Sequence, residues 1–176
     1  MPQATFHFPP GFLWGTATSS HQVEGSNTNN NWSVWEQEPG CIVNGDRAGL
    51  ACDWWGGRWR QDLDRAAEAG QNAHRMSIEW SRIQPTPNHW DESALDYYRE
   101  IMRGMYDRKL TPLVTLHHFT DPIWLMNEGG WANPDTPAKF GRYARKVVEA
   151  LKDYVTLWAT INEPNLYTYF GYMDPL

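Results

Sequence analysis

No long apolar run occurs in this sequence, and no stretch approaches the roughly 20 residues that a membrane-spanning helix needs. The opening segment MPQATFHFPPGFLWG has neither the basic start nor the apolar centre of an export signal, so a soluble cytoplasmic protein is expected. Basic runs are missing too. With Lys+Arg 15 against Asp+Glu 21 the net charge is -6. No positive stripe is available to neutralise phosphates, which excludes nucleic acid as an expected partner. Cysteine is scarce: Cys41 and Cys52 are the pair, and without an export signal they are expected as free thiols. On the same ground Asn31-Trp32-Ser33, which fits a glycosylation acceptor pattern, is expected to be a chance match. Low-complexity segments, heptad arrays and short repeats are also absent.

What is present is enough apolar material for one packed core. Of 176 residues 41% are hydrophobic, which fits a single unit over residues 1–176. Aromatics make up 14%, with 11 tryptophans. Indole faces suit the C–H faces of sugar rings, but aromatics also fill cores, so composition leaves both uses open.

Strand-like runs alternate with amphipathic stretches. The first run is Phe12 to Ala17, followed by a loop rich in Asn, Gly and Trp. The segment WRQDLDRAAEAG then places Trp59, Leu63, Ala66 and Ala67 on one helical face, with Gly70 as a stop. The run NAHRMSI leads to a helix carrying Leu95, Tyr98, Met102 and Met105 at steps of three and four. After the run TPLVTLHHF, Thr136 is the expected N-cap with Pro137 at the first helical position. Phe140, Ala144, Val147, Leu151 and Tyr154 form that helix's apolar stripe. The last run, LWATIN, reads as a buried strand ending at Glu163.

Such alternation implies parallel strands joined by right-handed crossovers and covered by helices. Functional groups in these sheets collect at the C-terminal strand ends, which gathers Gln22, Arg75, His118 and Glu163 on one rim. The first loop, GTATSSHQVEG, is not the glycine-rich phosphate loop of a doubly wound sheet. A barrel fits better. A complete one takes about 250 residues, so four strands read as half of it.

The stretch TINEPN puts a carboxylate between an amide and a proline at a strand end, where glutamate is uncommon and costly to bury. Alone, Glu163 reads as a solvated loop residue. Together, FLWGTATSSHQVEGS, HRMSIEWSRI, TPLVTLHHFTDPIWL and TINEPN resemble four successive blocks of glycoside hydrolase family 1, the β-glucosidase and β-galactosidase group. The likeness runs from Phe8 to about Tyr172 with the blocks in order.

The resemblance implies a (β/α)8 barrel, of which this chain is the N-terminal half, and retaining hydrolysis of β-glycosides by two glutamates. Retention needs one carboxylic acid to protonate the leaving oxygen and a second about 5–5.5 Å away to attack the anomeric carbon. Glu163 matches the acid/base, which apolar surroundings at a buried strand end would keep protonated. Pro164 would hold its backbone extended. By the same resemblance Gln22 binds outer hydroxyls of the sugar, His118 is its partner from the third strand, and Asn162 holds the 2-hydroxyl. Arg75 orients the nucleophilic glutamate. Taken singly, these are a loop glutamine, a core histidine, a turn asparagine and a structural arginine.

Two departures matter. Phe119 stands where many members carry Trp, which removes an N–H donor to the sugar, and no Thr-Glu-Asn-Gly segment supplies the nucleophile. The expected partners are therefore a β-linked glycoside and a complementary C-terminal half-barrel, or a second copy of the chain. A half-barrel that binds sugar without cleaving it is the competing reading. A third is another barrel glycosidase with Asn-Glu-Pro, which the first block disfavours. No cofactor is expected. Neither is a metal, since the adjacent His117 and His118 face opposite ways and no ligand-spaced carboxylate is evident beside them.

Overall fold

The computed structural model describes residues 7–173. Its centre is a four-stranded parallel sheet in the order β1 (Gly15–Ala17), β2 (Ala73–Ser77), β3 (Thr111–His117) and β4 (Leu157–Ile161). Ala17 is opposite Arg75, Arg75 opposite Leu113, and Thr115 opposite Ala159. Each connection carries helices. After β1 come α1 (Ser20–Val23), α2 (Asn31–Trp35) and α3 (Trp59–Glu68); α4 (Trp80–Ile83) and α5 (Glu92–Asp107) follow β2. Helices α6 (Ile123–Asn127) and α7 (Thr136–Leu151) follow β3, and α8 (Pro164–Thr168) follows β4. The fold is the expected one: four parallel strands with covering helices, half of a (β/α)8 barrel.

Strand periodicity divides the two faces. Met76, Val114 and Leu116 turn toward the helices and join the core, whereas Arg75 and Thr115 meet each other on the opposite face. The helical stripes supply the rest of the core. Leu95, Tyr98, Ile101, Met102 and Met105 of α5 are all fully buried, as are Tyr143, Val147 and Leu151 of α7. Gly104 of α5 permits the close approach of α3, because a Cβ there would lie 2.2 Å from the Trp59 ring.

Several local expectations are corrected. The first run shortens to three exposed residues, and β4 is half-buried with Thr160 exposed, because both are edge strands. Asp135, not Thr136, is the N-cap of α7. Thr136 opens the helix and donates through Oγ1 to the Gly130 carbonyl at 2.6 Å, leaving Pro137 second. Tyr154 lies beyond the helix end. Ala67 is half-buried while Ala66 carries the packing. Cys41 and Cys52 are free thiols. Among the described residues no helix is long and apolar enough to cross a membrane.

Candidate active site

Strands β2, β3 and β4 bring their polar groups together at their C-terminal ends. The Arg75 guanidinium donates from Nε to Thr115 Oγ1 at 2.9 Å and from Nη2 to Asn162 Oδ1 at 2.6 Å. Asn162 is buried, and its backbone N–H donates to the His117 carbonyl at 2.8 Å, which extends the β3–β4 ladder one residue past the strand. His118 follows on from β3, half-buried, with Nδ1 buried and unpartnered. Burial, aided by the Arg75 and His117 charges, pushes its pKa down to about 4, so the ring is neutral near pH 7.

Glu163 comes next in the chain, and here two expectations fail. Its side chain is exposed, not enclosed in apolar surroundings. Its backbone is left-handed, at φ 42° and ψ 58°, not extended. The reason is the junction it occupies: Pro164 starts α8 at once, and the chain must turn from the strand direction into a helix within one residue. A left-handed residue makes that turn, and a non-glycine there is strained by about 1–3 kcal/mol. The Tyr167 N–H donates to the Glu163 carbonyl at 3.0 Å, closing the first turn.

Glu163 and Phe119 line a cleft of about 520 Å³ with Asn31, Trp32, Trp35 and Tyr167 among its walls. Phe119 is also left-handed, φ 71°. Its ring lies nearly parallel to those of Trp32 (6.2 Å, 5°) and Tyr167 (6.0 Å, 12°). Asn31, the residue of the glycosylation pattern, is turned inward, its side chain bonded to Phe119 and Asp121. Gln22 is on α1 rather than on β1, exposed, with its Oε1 accepting from Ser19 Oγ at 2.8 Å. The lining of the cleft does not include Gln22, Arg75, His118 or Asn162.

Sequence reasoning missed two buried polar clusters. One surrounds Asp121, whose Oδ1 lies 3.0 Å from His117 Nε2 and accepts from Trp131 Nε1 at 3.1 Å, while Oδ2 accepts from the Tyr167 hydroxyl. The i,i+4 spacing of His117 and Asp121 was the available signal; a carboxylate does accompany the histidines. Among the described residues, no group of three or more His, Cys, Asp or Glu is placed to hold a metal ion. The other cluster joins the α1 loop to α4. Arg82 Nε donates to Glu24 Oε2 at 2.7 Å, Tyr98 OH donates to Glu24 Oε1 at 2.6 Å, and Glu79 accepts from Ser20, Ser81 and Thr120. Burial pushes Glu24 up to about 7 against the opposing Arg82 charge. No sequence spacing signals that pairing.

Comparison with known proteins places the chain as a whole in a family. The family model described as glycosyl hydrolase family 1 matches residues 4–175. The chain belongs to that family. Among relatives, the 1,4-beta-D-glucan glucohydrolase of Thermotoga neapolitana is 37% identical over 172 residues, 94% of this chain and 40% of the relative. Among solved structures, the beta-glycosidase from Pyrococcus horikoshii has a TM-score of 0.85 and 45% identity, covering 95% of this chain and 38% of the other. The beta-glucosidase from Thermotoga maritima in complex with castanospermine has a TM-score of 0.89 and 37% identity, with 93% and 38% covered. The chain thus spans about 40% of the length of the curated family-1 relatives it matches.

Proposed function

We propose that this chain supplies the acid/base half of a retaining β-glycosidase site, with Glu163 as the acid/base. The observation that carries this reading is the position of Asn162-Glu163: at the C-terminal end of β4, bonded to Arg75, and beside an aromatic cleft. Its exposure suits proton exchange with solvent between the two half-reactions, since the same carboxyl must first give a proton and later take one from water. Gln22, His118 and Asn162 bind the sugar hydroxyls, and the aromatic walls contact apolar faces of the glycoside. His118 does so as a neutral imidazole able to accept as well as donate. Arg75 has spent Nε and Nη2 and keeps Nη1 for a carboxylate nucleophile.

That nucleophile comes from a complementary C-terminal half-barrel. The β1 and β4 edges, unpaired among the described residues, and the exposed Phe12, Leu13 and Trp14 support such a partner. Free thiols fit a reducing compartment, the cytoplasm.

The test joins this chain to the C-terminal strands of a family-1 relative and follows hydrolysis of aryl and alkyl β-glucosides. In kcat/KM, Glu163→Gln is expected to slow the alkyl substrates by roughly 10²–10⁴-fold and to spare a dinitrophenyl leaving group, which departs without protonation, whereas kcat on the dinitrophenyl substrate falls because hydrolysis of the glycosyl-enzyme loses its base. Azide is expected to rescue the activated substrate as the β-glycosyl azide, read by proton NMR. Equal losses on both substrates, without rescue, would assign Glu163 another role. Sugar binding without turnover in the joined protein would favour the binding-module reading.

A further inference from the structure

The Asp121 carboxylate is fully buried and is not among the residues that line the cleft. A carboxylate in that position is tolerated only if donors replace its water, and three do so: His117, Trp131 and Tyr167. The backbone of Asp121 is also pinned, its N–H donating to Asn31 Oδ1 at 2.8 Å and its carbonyl accepting from Asn31 N–H at 3.0 Å. The donors come from the end of β3, the turn before α7, and α8. Of these, α8 is the element that starts at Glu163.

Glu163 sits in a left-handed conformation that a glutamate holds only when both flanks are constrained. Upstream, Asn162 is held by the His117 carbonyl and the Arg75 guanidinium. Downstream, Tyr167 closes the turn on the Glu163 carbonyl, and its hydroxyl is held by Asp121. His117 serves both flanks, through its carbonyl to Asn162 and its imidazole to Asp121. We propose that Asp121 and Tyr167 are positioning residues that fix the start of α8 against the end of β3, and so hold Glu163 in the conformation from which it protonates the leaving group.

This rests on Glu163 being the acid/base. Burial and the Asp121 charge raise the Tyr167 phenol above its ordinary range, so it stays a hydrogen-bond donor at any working pH. The ring of Tyr167 also backs Phe119, so the same anchor sets one wall of the cleft.

Two measurements test the proposal. In the chain itself, amide hydrogen exchange at position 167 is expected to quicken about tenfold in Tyr167→Phe, the loss of one good hydrogen bond, with α5 and α7 unchanged. Unchanged exchange at 167 would overturn the anchor. In the joined enzyme, Tyr167→Phe and Asp121→Asn are expected to lower kcat on alkyl β-glucosides about tenfold with KM within about twofold, and to spare kcat/KM on the dinitrophenyl substrate, whose leaving group departs without protonation. Equal losses of kcat/KM on both substrates would reduce the pair to structural support and overturn the positioning role. If Asp121→Asn does not fold, Tyr167→Phe decides alone, since it deletes one oxygen. Glu163→Gln, measured in parallel, separates the two ideas: absence of leaving-group discrimination there removes the acid/base reading, while the exchange result still decides whether Asp121 holds α8.

Discussion

Arg75 donates through Nη2 to Asn162 Oδ1 at 2.6 Å, tying the second strand to the residue that follows the fourth. The bond also decides which way the amide faces. With its oxygen bound to a guanidinium, Asn162 presents its NH2 group elsewhere, as a donor. Asn162→Asp keeps the oxygen and adds charge opposite Arg75, but removes that donor. Urea unfolding is expected to show stability equal to or above wild type. Calorimetry on the joined enzyme with an iminosugar inhibitor is expected to show a loss of about 0.5–1.5 kcal/mol in binding. Undiminished affinity would take the Asn162 amide out of the sugar site.

Stability should depend on pH through groups of opposite sign. Burial pushes His74 down to about 4 from 6.5, and burial with Arg75 and His117 does the same for His118. Both contribute stability that is complete above pH 6.5 and is lost as the pH falls toward 4, because the unfolded imidazoles take protons first. Glu24, raised from 4.5 to about 7, acts in reverse: its contribution is present below pH 4.5 and lost as the pH rises through 7. Two histidines outweigh one glutamate between pH 4.5 and 6.5, so stability should rise across that window, by about 1.4 kcal/mol per pH unit for each uncompensated proton. Urea midpoints measure it. His74→Gln should flatten the rise and Glu24→Gln should steepen it.

Two helical glycines should answer to alanine with opposite signs. At Gly104 the new methyl would meet the Trp59 ring at 2.2 Å, and overpacking of this kind costs about 1–3 kcal/mol. At Gly141, exposed on α7 with nothing within 4 Å, Ala should stabilise by about 0.5–1 kcal/mol. Thermal melts of both variants check the pair.

Phe8, Phe12 and Trp14 form an exposed aromatic cluster with ring centroids 4.5 to 4.9 Å apart, beside a β1 edge that is unpaired among the described residues. The chain alone is expected to self-associate at micromolar concentration, and to stop doing so when the complementary strands are supplied. Sedimentation as a compact 20.4 kDa monomer that binds no apolar dye would contradict this.

By itself the sequence determined the four strands, the three long helices and their order, but not the short helices α1, α2, α4, α6 and α8. Strand runs and helical stripes are written in residue spacings of two and of three to four, which act within a few residues, and so Leu95, Tyr98, Met102 and Met105 were legible as core. Glu163 was legible as a chemical oddity for the same local reason. Its backbone conformation and exposure were not, because they follow from how β4 hands over to α8 at the edge of the sheet. Only the tertiary structure decided the pairings: Arg75 with Asn162 across 87 positions, Glu24 with Tyr98 across 74, Asp121 with Tyr167 across 46. Those contacts join strand ends, loops and helices that the parallel strands bring together after crossovers of different length. A hydrogen bond between residues so far apart leaves no periodic trace, since it depends on where the chain returns and not on what neighbours it in sequence.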